Sequence, residues 1–271
     1  MNSFFSWKQA MTSDTSNNII VKDMMNRDVV LPSFPVRIVS LVPSLTELLS
    51  DLDLEDEVIG ITKFCVHPAS WRKEKVIIGG TKNPKLDKIQ SLNPDLIIAN
   101  KEENNESDII ELEKKFPVYV SDIQTIDDAL RMIKDIGELT FRSVQANKIV
   151  NQIRNKSVSL NSEKRSCLYF IWKDPWMIAG KDTFITEMLG NAGYKNLCPH
   201  TRYPILDESL KRLTPDEILL SSEPYPFKEK HFSEIASMFP DSKIRIVDGE
   251  YFSWYGSRML GAFDYFRTLN S

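Results

Sequence analysis

Cysteine is scarce in these 271 residues. Cys65, Cys167 and Cys198 are far apart, odd in number and outside any CxxC spacing, which excludes a disulfide framework or zinc knuckle and leaves a free thiol. Cys167 lies in the apolar run Cys167-Leu168-Tyr169-Phe170-Ile171, the setting of a buried, inert thiol. Cationic excess is also missing. A formal net charge of -4 and an isoelectric point near 5.6 provide no clustered positive patch for phosphates, so nucleic acid is not an expected partner. No apolar run approaches the ~20 residues that span a bilayer, so direct membrane insertion is not expected. The opening Met1 to Ala10 has no basic segment followed by an apolar one, and no lipoprotein cysteine follows it. Taken as a natural start, it predicts a cytoplasmic protein. A P-loop, GxGxxG, nucleophile elbow and HExxH are all lacking, so the chain is not expected to be an enzyme or to require a cofactor.

What is present is ordinary globular material, 42% hydrophobic and 27% charged, enough for one large or two modest domains. Ile19 to Asp23 and Asp28 to Pro32 read as a small hairpin. Arg37-Ile38-Val39-Ser40-Leu41 is the β-branched run of a strand buried on both faces of a parallel sheet. Pro43-Ser44-Leu45-Thr46-Glu47 reads as a helix start, with Ser44 as cap and Glu47 completing a capping box. Further strands are expected at Val58 to Ile61, Leu96 to Ala99 and Val118 to Val120, separated by helical stretches, a pattern of parallel sheet with helices on its faces.

From Thr125 to Asn155 apolar residues recur at spacings of three and four without proline, predicting one long helix kinked near Gly137. Alternation then restarts, with strands at Cys167 to Trp172, Glu217 to Ser221 and Ile244 to Val247. Helices are expected at Asp182 to Leu189, His231 to Met238 and Gly256 to Leu269. The expected organisation is α/β, two lobes with parallel sheets joined by one long helix: residues 1–122, a connecting helix over 123–158, and residues 159–271. An internal echo supports this. Asp87 and Glu208 each stand seven residues before a Pro-Asp, Pro94-Asp95 and Pro215-Asp216, that ends a helix and launches an apolar strand.

A family resemblance enters through Asp23, Asn26-Arg27, Val29-Val30-Leu31-Pro32, Pro35 to Ser44 and Thr46-Glu47. It continues through Val58-Ile59-Gly60-Ile61-Thr62, Gly79-Gly80 and Leu92 to Ile97. In this order they resemble substrate-binding proteins of cobalamin and ferric-siderophore ABC importers, the class III periplasmic binding proteins of the helical backbone metal receptor superfamily. The resemblance implies two Rossmann-like lobes, a ligand between them and periplasmic placement. It further implies a monomer that delivers its ligand to the importer's membrane subunits through one acidic residue per lobe. The matching positions are Asp87 and Glu208. The segment Thr62 to Pro68 departs from the aromatic-acidic loop of cobalamin binders, which opens the ligand to other metal chelates, carrying iron or cobalt.

Ligands of open α/β sheets sit beyond the carboxyl ends of strands. The loops there carry Phe64, Cys65 and His67; Glu102, Glu103 and Asn104; Trp172 and Trp176; and Trp254, Tyr255 and Arg258, the candidate ligand-binding residues. Cys65 and His67 could contribute a thiolate and an imidazole to one metal. The aromatic residues suit a planar or macrocyclic ligand, and Arg258 could meet a carboxylate or reach Glu102 across the cleft. His200 and His231, in polar surroundings, are expected at the surface. The alternatives are a cytoplasmic carrier or sensor of such a ligand, or a chelatase-like enzyme using His67 with Glu102 or Glu103.

Overall fold

The computed structural model describes residues 18–157 and 165–269. The amino-terminal lobe contains β1 (Ile19–Lys22), β2 (Asp28–Leu31), β3 (Ile38–Ser40), α1 (Pro43–Asp51), β4 (Val58–Ile61), α2 (Trp71–Glu74), β5 (Val76–Ile77), α3 (Leu86–Leu92), β6 (Leu96–Asn100), α4 (Glu106–Glu113) and β7 (Val118–Ser121). Its sheet runs β5-β4-β3-β6-β7, parallel throughout. β3, β6 and β7 are buried at every position, as expected of apolar strands covered by helices on both faces. The hairpin β1-β2 covers the open edge of β7. Met24 N donates to Val120 O at 3.2 Å, and the buried Asp23 carboxylate accepts from the Val120 amide and the Arg27 guanidinium. That satisfies edge groups which would otherwise template pairing with another chain.

The link contains two helices in place of the single one predicted: α5 (Ile126–Leu139) and α6 (Ser143–Lys156). A Thr125–Asp128 capping box starts α5. At its end the Thr140 hydroxyl donates back to Ile136 O at 2.7 Å and Phe141 adopts a left-handed φ of 57°. A Cβ on Gly137 would lie 2.4 Å from that of Ala146, so only glycine lets α6 turn back this closely. The apolar spacing ran unbroken because both helices bury against the same core, and periodicity alone does not register a change of axis.

The carboxy-terminal lobe continues as β8 (Arg165–Trp172), β9 (Met177–Ile178), α7 (Phe184–Asn191), β10 (Tyr194–Asn196), β11 (Glu217–Ser221), α8 (Phe232–Met238), β12 (Lys243–Val247), α9 (Glu250–Ser253) and α10 (Met259–Leu269). Parallel strands in the order β10-β8-β11-β12 form its sheet, with β9 antiparallel on β8. Side-chain alternation divides its apolar residues. Cys167, Tyr169 and Leu219 join the core shared with the first lobe, whereas Leu168, Phe170, Ile218 and Leu220 build a second core on the other face. His231 belongs to that second region: it is buried at 3% exposure against Tyr225 and Phe227, with Nδ1 on the Lys228 backbone. Its predicted surface position is therefore corrected, because a polar sequence neighbourhood concealed a local backbone cap. His200 is exposed. No helix among the described residues is long and apolar enough to cross a membrane.

Candidate functional site

The lobes meet where loops leave the carboxyl ends of their parallel strands. Asn100, the last residue of β6, shapes the first of these. Its side-chain oxygen accepts from the amides of Glu102 and Glu103 at 2.8 and 3.1 Å, and its nitrogen donates to Ser121. Asn104 closes the same turn, accepting from Asn100 N and donating to Thr81 O. Asn104 is thus buried and committed to holding the loop. What the turn presents is Glu102 and Glu103. Glu102 crosses to the other lobe, accepting from the Tyr203 hydroxyl at 3.2 Å and pairing with Arg202.

Arg258 forms the second crossing. Its Nε and Nη2 fork onto Glu47 of α1 at 2.7 and 2.6 Å, and Nη1 reaches Glu250 at 2.9 Å. The predicted Arg258–Glu102 contact is replaced by these pairs, and Arg202 takes Glu102. Glu47 completes no capping box: α1 is capped by Val42 without a side-chain bond, with Pro43 in its first turn. A carboxylate that looked like helix grammar in the sequence is half of a bidentate pair between lobes.

His67 makes the third crossing, with Nε2 3.2 Å from Glu250 and its ring edge-on to Trp254. Cys65 does not join it. The thiol is 1% exposed and held between Thr46 at 3.0 Å and Thr62 at 3.2 Å, and burial raises its pKa. The proposed Cys65–His67 metal pair is not assembled, because one side chain turns into the core and the other into the interface. Among the described residues no group of three or more His, Cys, Asp or Glu is arranged to hold a metal. The chelatase-like pairing of His67 with Glu102 or Glu103 is likewise displaced by the His67–Glu250 contact.

The aromatic candidates divide. Trp254 and Tyr255, each 7% exposed, lie at the junction: Trp254 has Arg258 over its ring and donates Nε1–H to Glu223 at 2.8 Å. Trp176 instead stacks on Phe227 and packs in the second core. Trp172 is exposed at the end of β8, edge-on to Tyr225, and Phe64 is exposed on the first lobe beneath Lys63. Those two rings are the accessible ones.

Sequence reasoning singled out none of Glu47, Arg202, Tyr203 and Glu250 as ligand-site residues. Burial raises the Glu223 carboxyl pKa, as do the charges of Glu250 and Glu103, while hydrogen bonds from Ser253 and Trp254 oppose the rise. Glu103 is also raised, by burial and by Glu102, against the pull of Lys82. The concavity lined by Arg27, Val29, Glu113 and Phe116 lies at the amino end of β7, away from these loops.

Comparison with known proteins agrees with this architecture. A family model described as a periplasmic binding protein matches residues 38–239. The chain is 32% identical over 218 residues to the uncharacterized ABC transporter substrate-binding lipoprotein YvrC of Bacillus subtilis (strain 168), covering 74% of this chain and 68% of the relative. It is 20% identical over 241 residues to the vitamin B12-binding protein of Pectobacterium carotovorum subsp. carotovorum (strain PC1), with 84% and 86% covered. The crystal structure of the periplasmic heme binding protein HutB of Vibrio cholerae superposes with a TM-score of 0.73 at 22% identity, over 87% of this chain and 98% of that one. Two lobes with parallel sheets, a helical link and this breadth of match lead to one assignment: the chain belongs to the periplasmic binding protein family, as a substrate-binding protein of the ABC-transporter type.

Proposed function

We propose that the protein captures a metal chelate or corrinoid-like ligand between its lobes outside the cytoplasmic membrane and passes it to an ABC importer. The carrying observation is the convergence of polar and aromatic side chains from loops at the carboxyl ends of both sheets, Glu102, Glu103 and His67 facing Tyr203, Trp254 and Arg258. Such a junction acts by binding: a ligand that contacts both lobes stabilises their closed arrangement over any open one. The relatives' names support the ligand class, since they include proteins for vitamin B12 and for heme. Native mass spectrometry of the protein purified undenatured from its source host tests the proposal. Recovery of a corrinoid or ferric chelate supports it. A bare metal ion together with turnover of a tetrapyrrole would sink it.

Docking on the importer is assigned to Asp87 in the first turn of α3 and to Glu208, both exposed. Among the described residues Glu208 pairs with its neighbour Lys211 at 2.7 Å, a surface pair of little energetic weight. The double variant Asp87→Ala/Glu208→Ala is therefore expected to bind ligand as the unaltered protein does, while transport in whole cells falls about tenfold or more through loss of charged contacts to the membrane subunits. Transport at the unaltered rate would remove the docking role.

A further inference from the structure

The arginines at the lobe junction are already engaged. Arg258 is occupied on three nitrogens by Glu47 and Glu250, and Arg202 pairs with Glu102. The carboxylates are not matched in the same way. Glu103 accepts no hydrogen bond among the described residues, although its backbone is fixed by Asn100. Glu223, on the opposing lobe, has Oε1 held by Trp254 and Ser253 at 2.8 and 2.7 Å, with no partner on Oε2 among the described residues. Beside Glu103 stands a further, independent observation. Tyr255 is 7% exposed, yet its hydroxyl forms no well-aligned hydrogen bond; Ser44 approaches it, and Glu102, Glu103 and Tyr203 are among the groups whose charge reaches it. Buried hydroxyls are nearly always paired, so one without an aligned partner beside Glu103 points to a place where a ligand N–H or hydroxyl can complete the polar contacts.

Resting on the receptor reading, we propose that Glu103 and Glu223 are specificity determinants selecting a ligand whose rim presents N–H donors, amide or ammonium, and rejecting one fringed with carboxylates or catecholates. An N–H group entering here meets acceptors, one from each lobe, and leaves the Arg258 and Arg202 pairs intact. A ligand carboxylate would instead stand against Glu103 and Glu223 with no uncommitted arginine to receive it, which is discrimination by repulsion.

The test uses the intact protein and its intrinsic tryptophan fluorescence, with Trp254 at the junction, and four probes. Cyanocobalamin has an amide rim, and a ferric trihydroxamate bearing an ammonium group is cationic. Haem carries propionates, and a ferric tris-catecholate is an anion. At least one of the first pair should bind about tenfold or more tighter than either of the second, the usual worth of hydrogen bonds to a charged acceptor. Glu103→Gln and Glu223→Gln, which preserve shape, should each weaken that binding by about tenfold and narrow the gap to haem. Tighter binding of haem or the catecholate by the unaltered protein overturns the specificity while leaving the receptor reading intact. Unchanged affinities in both glutamine variants overturn the two residues' role. Failure of all four probes to bind counts against both proposals.

Discussion

Replacing Arg258 with alanine is expected to cost about 3 kcal/mol of stability, the lower end of the penalty for removing one member of a largely buried ion pair. The reason is asymmetry. Glu47 and Glu250 have side chains only 18% and 22% exposed, and without the guanidinium each keeps its charge in a poorly hydrated junction with the principal partner gone. For a chain of this length such a loss lowers the melting temperature by about 5 °C. Lysine should not rescue it, because a point charge cannot fork onto Glu47 and reach Glu250 together. Since Glu47 and Arg258 belong to different lobes, the variant should also sample a more open arrangement, seen as a larger radius of gyration in small-angle scattering. A melting temperature within about 1 °C of the unaltered protein would show that the pair contributes little net energy, as many exposed pairs do. The double variant with Glu47→Ala then separates pairing from burial: a real interaction makes the two costs fall short of adding.

The junction illustrates which parts of a site can be read from a sequence. Strand positions were legible because a buried parallel strand is a continuous apolar run, and β11, predicted at Glu217 to Ser221, is found with those ends. The loops after the strands were legible too, since the sheet topology directs ligands there. Partner choice was not. Glu47 carries the local pattern of a capping box, and nothing nearby reveals that Arg258, 211 residues later, reaches it. Arg202 and Tyr203 were missed for a related reason: they lie in a stretch without periodicity, and contacts to residues 178, 180, 181 and 182, far from them in sequence, bring them to Glu102. Trp176 was drawn toward the cleft by composition, whereas β9 returns it to the outer face of the second sheet. Cys65 shows the same limit, for the spacing to His67 gives proximity along the chain but not the direction of either side chain.

The backbone pairing of residues 180 and 181 supplies the remaining large effect. Gly180 N donates to Arg202 O at 2.6 Å, and Lys181 N donates to His200 O at 2.9 Å. A Cβ on Gly180 would stand 2.5 Å from His200 O, 2.7 Å from Arg202 O and 2.9 Å from the carbonyl carbon of Thr201, all backbone atoms that cannot swing aside. Gly180→Ala must therefore push residues 200–202 outward at a cost of about 1–3 kcal/mol, the range of overpacked sites. The displaced segment takes Arg202 and Tyr203 off Glu102, so loss of ligand affinity should accompany loss of stability. Gly190, near the end of α7, provides the contrast because nothing lies within 4 Å of its added Cβ. Alanine there should stabilise by about 0.5–1 kcal/mol through a less disordered unfolded chain and better helix propensity, with binding unchanged. Urea unfolding of both variants decides the matter. If Gly180→Ala unfolds at the same midpoint as Gly190→Ala, the close approach of residues 180 and 202 does not hold the second lobe's contact to Glu102 in place.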